Sequence, residues 1–281
     1  MDNTSSIAKF RTGCQRDIDM LNEGYLWFSN TRDLNDPFEG NAKLTNSTNI
    51  ERTAKTLPLF KKLLQKQLGT TEYEINLLKY LEENASLLEK ITPKEKDIYL
   101  EVASSTYNIL ATSHLEQVKD KSFIYSASDA DDETIIKNPL LWGTYGEAFS
   151  GMCIIYDLNR ILLQNREILA SKVNYDRAPI SAEDIIELLS GASSSLIHKH
   201  PILTKSHHWK HEKEIRLLSK REGRHHFDNS IVKAVYIADR MPKIKKDEIT
   251  SICKEKYPNC KLKLAYFDQK QDDIIFKKIS F

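Results

Sequence analysis

The chain has 281 residues, 40% of them hydrophobic and 29% charged, which is enough apolar side chain for a packed core and excludes wholesale disorder. With 41 Lys and Arg against 40 Asp and Glu the formal charge is +1, so a broadly basic nucleic-acid scaffold is not expected, although a local basic patch is compatible with it. No apolar run approaches the roughly 18 residues of a spanning helix, and the opening MDNTSSIAKF lacks the pattern of a signal peptide. Cys14, Cys153, Cys253 and Cys260 form no CxxC pair, so we expect no zinc knuckle, no metal, no membrane contact and a reducing, cytoplasmic setting.

Three zones follow in chain order. In residues 1–46 a helix-like pattern gives way to short apolar runs. Tyr25-Leu26-Trp27-Phe28 reads as a strand, and it leads into the turn signal Asn35-Asp36-Pro37, where proline disfavours helix at Asp36. Residues 47–118 read as three amphipathic helices. Thr71 with Glu74 and Thr92 with Glu95 fit capping boxes. Leu77, Leu78, Leu81 and Leu88 share one face, and Ile98, Val102, Ile109 and Leu110 roughly share another. This zone is either a helical insertion or lid, or a subdomain that simply covers a sheet. Residues 119–281 return to mixed structure. Strand-like runs lie at 123–125, 152–156, 215–218, 232–237 and 262–267, with helices at 181–190 and 246–256. Without a strict βαβ alternation, the expectation is one α+β domain over 1–281 with a mixed, mainly antiparallel sheet core, and 47–118 as a helical excursion from it.

Four constellations could carry chemistry. The Asn35-Asp36-Pro37-Phe38-Glu39-Gly40 loop could bind a ligand or satisfy its own backbone. Trp142 and Tyr145 sit among glycines and could stack a planar ring, or fill a core. The run from Lys205 to Arg216 is dense in titratable groups. A strand from about 211 would put Glu212, Glu214 and Arg216 on one face, either as a polar site or as an ion-pair ladder. Histidines gather between 198 and 226, with His207 and His211 four apart, but the HExxH pattern is absent. Residues 199–224 hold eight Lys and Arg against three Glu, an excess that would attract a phosphate or serve as a solvated face. Asp129, Asp131, Asp132 and Glu133 could hold Mg²⁺ in a nuclease, but read better as an exposed loop.

These residues resemble the bacterial family catalogued as Domain of Unknown Function 2971. Its opening lysine-aromatic-arginine is matched by Lys9-Phe10-Arg11, and its "lwfS…NDPFE" block by Leu26 to Ser29 and Asn35 to Glu39. Its tryptophan-x-x-tyrosine block is matched by Trp142, Tyr145 and Gly151, and its "K…W.yE.EwR" block by Lys205, Trp209, Glu212, Glu214 and Arg216. His211 stands where the family often has Tyr, and Ile215 where it often has Trp.

A second resemblance concerns activity. Arg11, then Ser126-Ala127-Ser128, then Glu212-Lys213-Glu214 is similar to the R–S–E pattern of ADP-ribosyltransferases. That resemblance implies an ADP-ribosyltransferase-like fold using NAD as co-substrate. Arg11, with Lys9 beside it, would hold the pyrophosphate, while Ser126 and Ser128 would brace the site. Trp142 or Tyr145 would stack a ring, and Asn35, Asp36, Glu39 and Arg216 would line the pocket. Glu214 would stabilise the oxocarbenium-like transition state, and Glu212 would orient an unknown macromolecular acceptor. A transferase or NAD glycohydrolase of this kind would suit a toxin or phage-defence effector. The rival expectation is a non-enzymatic or nucleic-acid-directed effector that touches phosphates through the basic 199–224 face.

Overall fold

A computed structural model describes residues 4–34, 40–41, 43–65, 72–176 and 178–279, apart from the side chains at 73, 74 and 194. In chain order the elements are β1 (Ser6–Arg11), α1 (Gln15–Glu23), β2 (Tyr25–Asn30), β3 (Leu44–Thr45), α2 (Ile50–Leu64), α3 (Glu72–Ala85), α4 (Pro93–Lys121), β4 (Phe123–Asp129), α5 (Pro139–Thr144), β5 (Met152–Asp157), α6 (Leu158–Gln164), β6 (Leu169–Lys172), β7 (Ile180–Ser181), α7 (Ala182–Ser190), β8 (Glu214–Ser219), β9 (Gly223–His226), β10 (Val232–Ala238), α8 (Lys243–Lys256), β11 (Lys261–Asp268) and β12 (Asp273–Lys278). The fold is α+β, as expected, and the sequence-predicted strands and helices of 119–281 are all present. The contacts divide the chain into two compact units, where the sequence suggested one domain. The first comprises residues 1–34, 121–173 and 208–281. The second comprises 35–120 and 174–207, so it holds the 47–118 helices and also a stretch that the sequence reading left in the main body.

The first unit is built on a sheet of ten strands among the described residues. The path runs β12-β11-β10-β5-β1-β4, and β8 and then β6 continue from the far edge of β4. Every pairing is antiparallel except β10 with β11. Alternate residues serve opposite faces. Ile7, Ala127, Ile154, Ile215, Leu217, Val235 and Ile237 pack with α1, α6 and α8 in one core. Ala8, Phe10, Cys153, Ile155 and Tyr236 pack with Leu141 and Trp142 of α5 in another. Lys9 and Arg11 interrupt the apolar pattern of β1, which is why its sequence does not read as a strand.

The second unit packs α2, α3, α4 and α7 around Leu57, Phe60, Leu81, Tyr99, Tyr107 and Ile185. The Thr92–Glu95 capping box forms, with the Thr92 amide donating to Glu95 at 2.7 Å; Thr71 lies outside the described residues. The buried face of α4 differs from the sequence reading. Ile98 and Ile109 are exposed, and the core contacts come from Tyr99, Ala103, Thr106, Tyr107 and Leu110. Arg52 of α2 ties α7 in place through Asp184 at 2.6 Å and Glu187 at 3.1 Å.

Candidate functional site

The candidate site forms in the first unit, where the sheet parts. β8 occupies one edge of β4. The other edge is shared: β1 pairs with it at Ser128 and Asp129, and β2 pairs with it at Phe123 and Ile124. Between these contacts β1 leaves β4, and the carbonyl of Ser126 accepts a hydrogen bond from the Lys9 ammonium. Lys9 and Arg11 are two apart on one strand, hence on one face, and both approach the buried Tyr125 ring, at 5.2 and 5.9 Å from its centroid. Asp17, buried in the first turn of α1, lies 3.8 Å from the Arg11 guanidinium and takes a 2.8 Å hydrogen bond from Thr12. Three buried polar atoms of this cluster, Asp17 Oδ1, Tyr125 Oη and Ser126 Oγ, make no hydrogen bond of ordinary geometry among the described residues.

Electrostatics set the two cations apart. Burial is the largest influence on Lys9 and, with the charge of Arg11, lowers its amine to about 7, although Glu214, Glu212 and Asp17 pull the other way. Burial also works against the charge of Arg11, but Tyr125, Asp17 and Tyr156 more than offset it and leave its pKa above the ordinary value. Burial drives Tyr125 and Tyr156 upward, so both stay neutral phenols.

The Glu212-Lys213-Glu214 segment closes the cluster from β8. The strand begins at Glu214 rather than near 211, because 207–212 forms a 3-10 turn and Lys213 takes a positive φ of 44°. This corrects the expected alternation through Glu212. Glu214 and Arg216 do share a face, and they form a fork: Nε to Oε1 at 2.8 Å and Nη2 to Oε2 at 3.3 Å, with Arg216 wholly buried. The ladder alternative therefore describes this pair well. Glu212, also buried, accepts the Tyr145 hydroxyl at 2.6 Å. Tyr145 follows α5, and after it Glu147, Ala148 and Phe149 all hold positive φ, a conformation costly for side-chain-bearing residues. Phe149 is fixed by its ring contact with Trp142 at 5.0 Å.

The structure thus brings together Lys9, Arg11, Ser126, Ser128, Tyr145, Glu212, Glu214 and Arg216, with Ser128 opposite Glu214 and Ser126 opposite Arg216 across the β4–β8 ladder. Trp142 does not join them as a ring shelf. It is fully buried, packed edge-on to Phe10, with its indole N–H bonded to Ile136. Asn35, Asp36 and Glu39 lie outside the described residues. Asp17, Tyr125 and Tyr156 were missed. The available signal for Asp17 was an acid in the first turn of a helix directly after Arg11; the two tyrosines read only as strand residues. The acidic run is tied at its edges, Asp129 to Lys172 at 3.2 Å and Asp132 to Lys213. No cluster of three or more His, Cys, Asp or Glu suited to a metal occurs among the described residues. Nor is any described helix long and apolar enough to cross a membrane.

A parted, mainly antiparallel sheet holding a buried charged cluster defines an α+β protein in form. Residues 141–217, which run from α5 into β8 and carry Trp142, Tyr145, Glu212, Glu214 and Arg216, match the family described as a protein of unknown function (DUF2971). No curated protein and no solved structure matches the chain.

Proposed function

We propose that the cluster at the parting of β1 and β4 binds a phosphate-bearing nucleotide, with NAD as the first candidate, and that the protein is an ADP-ribosyltransferase-like enzyme transferring to a macromolecular acceptor or to water. The observation that carries this reading is the adjacency of β1, β4 and β8, which sets Arg11, the Ser126-Ala127-Ser128 run and the Glu212-Lys213-Glu214 run side by side. Arg11 offers a forked, permanently charged grip for pyrophosphate. Glu214 is committed to Arg216 in a buried fork, and turning it toward a substrate would break that fork. We therefore assign Glu212, oriented by the Tyr145 hydroxyl, to the support of the developing cationic ribose. This departs from the last-glutamate rule that the R–S–E resemblance implies.

The basic 199–224 segment supports a nucleic-acid reading less well. Of its eight cations, Lys205 and Arg216 are buried, while Lys213 and Arg224 pair with Asp132 and Glu23.

Calorimetry with NAD tests the proposal. Binding is expected in the wild type, and Arg11→Lys should weaken it about tenfold or more, because a fork becomes a point charge. Glu212→Gln should lower turnover about 10²-fold at unchanged melting temperature. Absence of both NAD binding and NAD consumption by the wild-type protein would remove this reading.

A further inference from the structure

We propose that Lys9 is a reactive amine that condenses with the carbonyl group of an anionic aldehyde or ketone, the anion being held by Arg11. This reading shares the site of the nucleotide proposal but does not depend on it.

The argument begins with placement. Lys9 lies on β1 where that strand leaves β4, with its ammonium directed into the gap and bonded to the Ser126 carbonyl. Ile7, Ala8 and Phe10 around it are buried in the two sheet cores, while Lys9 as a whole residue is half-buried and its amine is the desolvated end. Its nearest cation, Arg11, is two residues along the same strand face, and both approach the same Tyr125 ring. A lysine that is desolvated and set beside a second cation is the standard arrangement for an amine that must lose its proton near neutral pH. The lowering of Lys9 to about 7 agrees with that placement. A lysine kept only to pair with acids would instead be held in its charged form. Here Glu212, Glu214 and Asp17 act on the amine but do not outweigh burial and Arg11.

The step balances without a redox partner. The nitrogen lone pair of neutral Lys9 attacks the carbonyl carbon, the C=O π pair moves to oxygen, and a proton passes from nitrogen to that oxygen to give a carbinolamine. Loss of its hydroxyl as water gives the imine, so amine plus aldehyde become imine plus one water. The ligand class follows from the neighbours: a compact aldehyde or ketone bearing a phosphate or carboxylate, whose anion takes the Arg11 fork.

The experiment uses the wild-type full chain, which avoids the question of whether a Lys9 variant folds. The protein is treated with pyridoxal 5′-phosphate at a series of pH values, reduced with borohydride, digested and mapped by mass spectrometry. Reduction adds hydride to the imine carbon and leaves a stable secondary amine. We expect the adduct on Lys9 at least about tenfold above any other lysine at pH 7, since an ordinary lysine with a pKa near 10.4 is almost wholly protonated there. Labelling of Lys9 should reach half its maximum near neutrality, and Arg11→Gln should move that midpoint toward alkali. Acetaldehyde, which lacks an anion, should label the same residue at higher concentration; equal efficiency for both would remove the Arg11 part of the proposal. Labelling spread evenly over surface lysines, or Lys9 labelling that rises only toward pH 10, would overturn it. Added NAD separates the two readings: protection of Lys9 supports both, whereas intact labelling under NAD at concentrations shown not to bind retains the reactive amine and removes the nucleotide.

Discussion

At the scale of single residues, the strongest constraint is the Glu214–Arg216 fork. Taking both groups out of water is expensive, and their mutual hydrogen bonds return that loss only while both are present. Arg216→Met should therefore destabilise the fold by roughly 3–5 kcal/mol, the usual consequence of removing one partner of a buried ion pair. The double variant Glu214→Leu with Arg216→Met should regain more than half of that loss. Urea melting of the single and double variants measures the coupling directly. If the double variant is as unstable as Arg216→Met, the pair is not the energetic unit described here. The same logic bears on any test of catalysis: Glu214→Gln disturbs a structural fork and Glu212→Gln removes a buried charge that accepts the Tyr145 hydroxyl, so the activity of both must be read per folded molecule.

At the scale of elements, the site depends on how closely β5 approaches β1. A β-carbon on Gly151 would stand 2.1 Å from the Arg11 carbonyl oxygen and 3.0 Å from the backbone of Gly146. No L side chain fits there without moving β1 at the residue that carries the guanidinium. Gly151→Ala is expected to cost about 1–3 kcal/mol, as overpacking does, and to weaken any ligand of Arg11 in step. Unchanged melting together with unchanged binding would show that β1 yields freely. Several elements were legible beforehand. The runs at 25–28, 123–125, 152–156 and 232–237 announced strands because aromatic and β-branched residues cluster between turn residues. β1 was not, since Ser6-Ile7-Ala8-Lys9-Phe10-Arg11 mixes weak strand formers with two charges that only the parted sheet explains. The start of β8 was misjudged because nothing in His211-Glu212-Lys213 signals a positive φ at Lys213. In α4 the pattern of large aliphatics misled in part: Leu110 is buried and Val102 packs on the core, but Ile98 and Ile109 are exposed and much of the buried stripe is tyrosine, alanine and threonine, residues that hydropathy ranks below isoleucine. The motifs picked out several residues that the fold brings close together on β1, β4 and β8, but Trp142 shows the limit of that: a tryptophan among glycines reads the same whether it shelves a ligand or fills a core.

At the scale of the whole molecule, the two units should respond to pH in different windows. In the second unit His200 is buried, accepts the Ile202 amide through Nδ1 at 3.3 Å, and meets the His114 ring at 5.9 Å. Burial, helped by His114, holds it down to about 4, and burial lowers His114 as well. The unfolded chain takes up these protons near pH 6.5, and the folded unit resists until about 4, so stability is complete above 6.5 and falls as the pH drops through that interval. For His200 alone the loss amounts to about 3 kcal/mol. Asp184 adds to it further down: burial would raise its pKa, but Arg52 and the Ser181 amide hold it below the ordinary value, so its stabilisation is lost on protonation at still lower pH. The first unit responds in the same sense but in a more alkaline window. Lys9 gives up its proton in the folded state near 7 but in the unfolded chain only near 10.4, so between those values the unfolded state binds more protons and stability rises with pH. Hydrogen exchange resolved by peptide, and corrected for the intrinsic pH dependence of exchange, can follow both units in one sample. Peptides from α2, α4 and α7 should lose protection between pH 6.5 and 4.5, and His200→Gln should flatten that loss. Peptides from β1 and β4 should gain protection between pH 7 and 9. An acid response of the second unit that survives His200→Gln unchanged would assign it to the carboxylates instead of the histidine pair.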